Sequence, residues 1–326
     1  MRLNLYNSAM ERIAVIGGQF ISCLWTEGYN TVEPFALELP ETDFYRQRVR
    51  PDCYVGRSDR KSLMVIKSVR CQGGRLIANG FQAGRCLEDL AFIGTIPAGS
   101  DLPSAIQGAY ETAGGYEGFS VPASDLRTPY DYQISNRSVL ELCRTMCQET
   151  DTGFRVVRGG AGAELEFYRP EADPDRVLSR RFGTISDVSV TLSTQNLKNH
   201  AIVLGAGEGE ARAVAEADLS GGGQKRSLIV DARDLTREDG ETEASYLARL
   251  EARGREKLLE RCGTWECTFV PLAGQFGRSY ELGDVLTVLL PEYGLKLRAR
   301  VVRFTQKEQN NQTKTTVEVG TITIVR

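Results

Sequence analysis

Apolar and polar residues alternate with a period of two along much of the chain, and most clearly over Tyr280–Arg326. Gly283-Asp284 opens a run with Val285, Leu286, Val288 and Leu290, and a Pro-Glu-Tyr-Gly turn at 291–294 feeds Leu295, Leu297, Ala299, Val301 and Val302. Beyond a polar tip at Gln309–Lys314 the chain returns as Thr316–Val319 and reaches Gly320. β-Branched runs joined by turn residues predict an antiparallel meander. Almost nothing in it can break a bond, so the pattern leans towards a structural protein. The first hundred residues read as all-β: Arg2–Tyr6, Ile13–Ile16, Phe20–Trp25, Thr31–Leu39 with Val32, Phe35, Leu37 and Leu39 apolar, and Leu63–Val69 before a Gly73-Gly74 turn. That spacing fits a barrel or sandwich.

The texture changes near residue 100. A short helix is expected within Leu102–Gly118, and a clearer one follows Asn136 or Ser138 as cap, with Val139, Leu140, Leu142, Cys143, Met146 and Cys147 on one face. Phe154–Val157 and Glu164–Tyr168 then read as a hairpin, so this stretch is a small α+β module, placed as an insertion. From 181 the β pattern returns, with Ile185–Leu192 and Ala201–Leu204. A last helix runs from about Glu243 to Arg261, capped by Thr242, with Tyr246, Leu247, Leu250, Leu258 and Leu259 as its apolar stripe. Gly254 in its middle costs about 1 kcal/mol against alanine, which points to close packing against a neighbour. The fold class is mainly β with an α+β insertion.

Composition narrows the function. At 326 residues the chain can bury a large core and holds roughly two or three domains. A net charge of −3 gives no global basic field for nucleic acid. No run approaches the roughly 18 apolar residues of a membrane span, and the N-terminal stretch lacks a long apolar signal core. A soluble chain matured in the cytoplasm is expected. The eight cysteines include no Cys-x-x-Cys, so neither a zinc site nor a disulfide set is expected, and Cys23, Cys143 and Cys147 read as small buried hydrophobes. One histidine, His200, leaves no two-histidine metal site, and no G-x-S-x-G elbow accompanies it. It is expected at a strand edge. No catalytic, cofactor-binding or metal-ligating set is expected.

One segment imitates a cofactor motif. Ala201–Leu204, the Gly-Ala-Gly-Glu-Gly-Glu turn at 205–210 and Ser227–Asp231 place an acidic residue about 26 positions after the first glycine, as a dinucleotide site does. Glu208 and Glu210 lie where a pyrophosphate would sit and would repel it. The better reading is a hairpin of Arg212–Ala217 with Ser227–Asp231; a nucleotide-binding enzyme is the lesser alternative.

The order of these parts resembles a known family. The helix after Ile-Ser-Asn-Arg-Ser-Val-Leu, the Gly-x-Gly-x-Gly-x-x-Arg turn, a Val-Asp-Ala-Arg-Asp segment, one helix, and a Gly-Asp-Val-Leu-Thr-Val meander ending in Val-Glu-Val-Gly follow one another. The whole resembles baseplate hub proteins of tailed phages and contractile injection particles, above all the Gp37-like siphophage tail proteins, over about 130 to 320. The resemblance implies a homotrimeric ring at the tip of a tail tube, each subunit giving two tube-forming β-barrel-like domains, 1–102 with 181–234 and 235–326, and an outer α+β domain, 103–180. Implied partners are the tail tube protein, the tape-measure protein, a spike or tip protein and other baseplate proteins, with DNA only as passing cargo. The implied location is the virion tail or baseplate, assembled in the host bacterial cytoplasm, with no membrane contact.

Candidate subunit contacts are the mixed-charge turn Arg57, Asp59, Arg60 and Lys61, and candidate lumen residues are Glu208 and Glu210. Tyr116, Phe119 and Tyr130 are candidates for an exposed aromatic patch. The other function classes are a host-surface module, in which the Gly- and Tyr-rich stretch 108–119 recognises a glycan, and a peptidoglycan hydrolase, for which Glu164 and Glu166 share a strand face but read as surface.

Overall fold

The computed structural model describes residues 1–160, 162–207, 209, 212–237, 240–259, 261, 264–271, 276–310 and 312–324. Two compact units divide it: Met1–Val188 with Thr268–Arg326, and Ser189–Cys267.

The first unit opens with β1 (Leu3–Tyr6), β2 (Arg12–Ile16), β3 (Ser22–Gly28), β4 (Pro34–Pro40), α1 (Asp43–Arg48), β5 (Tyr54–Arg57), β6 (Leu63–Gln72) and β7 (Arg75–Gln82). The strands follow the predicted alternation. Cys23, Trp25, Phe35, Leu37 and Leu39 are buried, and Trp25 meets Phe35 edge-on across the β3–β4 pair at 5.8 Å. The all-β expectation misses α1, whose start Thr42 caps by accepting from the Tyr45 amide, and a 3₁₀ turn over Ala83–Asp89. Both are too short to show a helical period.

Next come β8 (Ala91–Ile96), β9 (Ser100–Asp101), α2 (Leu102–Thr112), β10 (Phe119–Ser120), β11 (Pro129–Tyr130), β12 (Ile134–Ser138), α3 (Val139–Glu149), β13 (Gly153–Arg158), β14 (Ala163–Tyr168), β15 (Ala172–Leu178) and β16 (Ile185–Ser193). Ser138 caps α3, its hydroxyl accepting from the Glu141 amide at 3.2 Å. All six predicted apolar residues of α3 are buried, and β13 and β14 form the expected hairpin. This stretch shares one hydrophobic core with Tyr6, Met10, Tyr54, Leu63 and Val65 of the opening strands.

The second unit contains β17 (His200–Leu204), β18 (Val214–Asp218), β19 (Ser227–Asp231) and α4 (Glu243–Leu259), and β20 (Thr264–Pro271) leads out of it. β17 lies between the other two strands, antiparallel to β18 and parallel to β19. The expected hairpin of 212–217 with 227–231 is therefore corrected: β18 turns back on β17, and β19 adds to the far edge of β17. Alternation fixes which face a strand buries but not its neighbour. The close approach expected at Gly254 is present, since a Cβ there would lie 2.7 Å from Val203 Cγ2 and 3.1 Å from Ala217 Cβ. Gly254→Ala gains about 1 kcal/mol of helix propensity but overpacks this contact. We expect a net loss of about 1 kcal/mol in chemical denaturation; a gain would mean that α4 can move away from the sheet.

The chain closes with β21 (Val285–Leu290), β22 (Leu295–Gln309) and β23 (Gln312–Ile324), the predicted meander with a longer final hairpin. β22 changes partner along its length: residues 295–300 pair with β21, and residues 303–309 pair with β3. The meander thus continues the opening sheet in the order β23-β22-β3-β4-β7-β6-β5-β1-β2, with β15 parallel to β21 at the side. No helix among the described residues is long and apolar enough to cross a membrane.

Candidate assembly surface

The mixed-charge turn after β5 is built around a buried carboxylate. Glu27 occupies the inward register of β3 after Cys23 and Trp25, and it is fully buried. Its oxygens accept from Trp25 Nε1 at 2.7 Å, Ser62 Oγ at 2.8 Å, and Arg60 Nε and Nη2 at 2.9 and 3.1 Å. Arg60 also donates to Glu281 at 3.1 and 2.9 Å, and its guanidinium lies 4.6 Å from the centre of the Phe276 ring, which stacks on Phe304. Burial alone would raise the Glu27 pKa, but the Arg60 charge and the hydrogen bonds from Arg60, Trp25 and Ser62 hold it below the usual value. Burial would likewise lower that of Arg60, and its two carboxylates raise it instead.

Arg57 donates from Nε and Nη2 to Asp59 at 2.9 and 2.6 Å, and its own side chain is buried beneath the turn. Of the four residues, Asp59 and Lys61 reach solvent. Arg57 and Arg60 are thus spent on shaping the turn, while Asp59 and Lys61 are what it presents. Glu208 and Glu210 lie outside the described residues. Glu27 and Glu281 complete the node, and neither belongs to a recognisable sequence motif. The signal for Glu27 was present, a carboxylate at a core-facing position of an alternating strand.

The geometry of the Gly-x-Gly segment opposes a dinucleotide site. β17 runs through Gly205 directly into an antiparallel return, with the Gly205 amide donating to Ala213 O at 2.8 Å. Arg212 donates to Leu204 O, Gly205 O and the Asp231 carboxylate. Asp231, the residue a ribose would need, also pairs with Arg233 at 3.0 Å.

His200 is buried, not at a sheet edge, on the central strand β17. Its Nδ1 lies 3.0 Å from Ser227 Oγ and its Nε2 3.2 Å from Glu216 Oε2. Its neighbours in the register explain this, since it pairs with Ser227 in β19, and Glu216 lies on the same face of β18. The serine faces Nδ1, the opposite of a Ser-His-acid triad, so the trio reads as a clasp across three strands.

The aromatic patch is corrected. Phe119 and Tyr130 are buried, and Tyr110 is held inside by donating to Phe119 O at 2.7 Å while accepting from the Tyr116 amide. The stretch 108–119 therefore spends most of its aromatic surface on its own core. Of the paired acids, Glu166 is bonded to Arg155 and Glu164 accepts from the Gly160 amide. Burial pushes the Cys23 thiol up to about 12 and those of Cys143 and Cys147 well above their usual value, as expected of inert core cysteines. Among the described residues no cluster of His, Cys, Asp and Glu could hold a metal ion.

Comparisons with known proteins agree with this architecture. The family model described as Siphovirus ReqiPepy6 Gp37-like protein matches residues 120–321, more than half of the chain. The 43 kDa tail protein of prophage MuSo2 from Shewanella oneidensis is similar in fold, with a TM-score of 0.63 at 12% identity, covering 98% of this chain and 96% of that one. The tail protein of Neisseria meningitidis MC58 gives 0.60 at 12% identity over 97% and 95%, and prophage tail protein gp18 of Listeria monocytogenes EGD-e gives 0.57 at 13% over 98% and 94%. No curated protein matches at a significant level. With a mainly β architecture shared with phage and prophage tail proteins and a family model that matches residues 120–321, more than half of its length, the chain belongs to the Siphovirus ReqiPepy6 Gp37-like protein family.

Proposed function

We propose that three copies of this chain close into a ring at the tip of the tail tube, adapting a hexameric tube to a three-fold spike or tip and enclosing a channel. Residues 1–102 with 181–234, and residues 235–326, are the two tube-forming β-barrel-like domains in this reading, and 103–180 is the outer module. The observation that carries it is the partner change of β22, which puts the C-terminal meander and the opening strands into one antiparallel sheet. A continuous wall is what two tube domains of one subunit need. The full-length likeness to tail proteins supports the same reading.

The partners are then the tail tube protein, the tape-measure protein, a spike or tip protein and other baseplate proteins. Asp59 and Lys61, on the turn anchored by Arg57 and Arg60, meet a neighbouring subunit, and Glu208 and Glu210 face the lumen. A near-neutral, slightly acidic wall lets DNA pass, because basic walls would hold phosphates by counterion release. Antibody or gold labelling of a tagged chain in assembled tails tests the placement. Label confined to the tip of the tube supports the adaptor role, and label repeated along the tube contradicts it.

A further inference from the structure

The final hairpin sets two like charges against each other across its strands. Lys307 of β22 and Lys314 of β23 stand directly opposite each other in the antiparallel register, both exposed. Like charges at such positions oppose pairing. Among the described residues no ion pair joins either lysine to a carboxylate. Elsewhere the same hairpin resolves its charges: Arg303 stands opposite Glu318 and donates to it at 2.9 Å. Glu308, next to Lys307, points to the other face by strand alternation and is taken by the Met1 ammonium at 3.1 Å. Around the two lysines, Gln309, Asn310, Gln312 and Thr313 line a shallow recess of about 530 Å³, which supplies further hydrogen-bond donors.

We propose that this hairpin end is a docking surface for an acidic protein segment, whose carboxylates bridge Lys307 and Lys314 and accept from the neighbouring carboxamides. The inference stands apart from the ring reading. A protein carboxylate fits better than a nucleic acid. The basic charge is confined to two side chains instead of a stripe along the surface, and the chain as a whole is acidic, with a net charge of −3.

The test measures binding of a labelled deca-glutamate peptide to the full chain at low salt, with a ten-nucleotide oligothymidylate as the competing chemistry. Lys307→Gln/Lys314→Gln is expected to weaken peptide binding about tenfold, the worth of two modest charge contacts. Its thermal midpoint should be unchanged or higher, since the repulsion is gone. Arg70→Gln/Lys296→Gln, at two other exposed strand positions, removes the same charge elsewhere and should change peptide binding less than about twofold. Equal weakening by both double variants, no weakening by the first, or tighter binding of the oligonucleotide through the same two lysines would overturn the proposal.

Discussion

Replacing Arg60 with methionine is expected to cost about 3–5 kcal/mol of stability. Methionine leaves an apolar side chain beside Phe276 and Phe304, over which the guanidinium now lies, so the loss comes mainly from the charge. Glu27 would remain fully buried with Trp25 and Ser62 as donors but with no cation. An uncompensated buried charge is what makes breaking such a pair so costly. Glu281 is partly exposed and can turn to water, so it adds little. Guanidinium unfolding of the full chain measures the loss. Glu27→Gln/Arg60→Met should be more stable than Arg60→Met alone, because the stranded charge has gone with its partner. A loss under about 1 kcal/mol would mean that water reaches Glu27 and the node is not sealed.

The same node sets a pH dependence. The folded pKa of Glu27 lies below its ordinary value of 4.5, so the folded state binds the proton less readily than the unfolded one. Its contribution to stability is complete above about pH 4.5 and is lost as the pH falls through the lower folded value. The wild-type chain should lose stability in that acid range, and Glu27→Gln/Arg60→Met should lose less of it.

A second large effect is expected at Gly80 on β7. A Cβ there would lie 1.9 Å from Val65 O and 3.0 Å from Ile66 Cα, where the β6–β7 register shifts between Ile66 and Ser68. The obstacle is the backbone of a strand held between β5 and β7, which cannot move without opening its own ladder. Gly80→Ala is therefore expected to cost about 3 kcal/mol, at the upper end of overpacking effects. Gly108 in α2 is the control, since a Cβ there meets nothing within 4 Å. Gly108→Ala should stabilise the chain by about 0.5–1 kcal/mol. If both glycines tolerate alanine equally, the bulge does not hold Gly80 against the neighbouring strand.

These two positions show what alternation could and could not reveal. Period-two and helical patterns located the meander, α3, α4 and the β13–β14 hairpin, and the mid-helix glycine announced the tight contact of Gly254. Glu27 was readable as a carboxylate among core-facing residues. Its partners were not, because Arg60 and Glu281 come from a turn and from a segment more than 200 residues further on. The β3–β22 pairing has the same origin: each strand shows its buried face, and nothing in either sequence names the other. Parallel addition of β19 to β17 was missed because a glycine-rich turn between two strands favours reading them as neighbours. The aromatic residues of 108–119 misled for the opposite reason. Their composition matches an exposed recognition patch, while Tyr110 uses its hydroxyl to tie that loop to its own core.

The three-fold ring stands or falls on the state of assembly. The most direct measurement is the mass of the purified chain in solution, taken beside negative-stain images of the same sample at a concentration matching assembly. A three-fold hub gives a mass of three chains and rings of three-fold symmetry with a central hole. A chain that stays monomeric both alone and when mixed with the tail tube and spike proteins would contradict it.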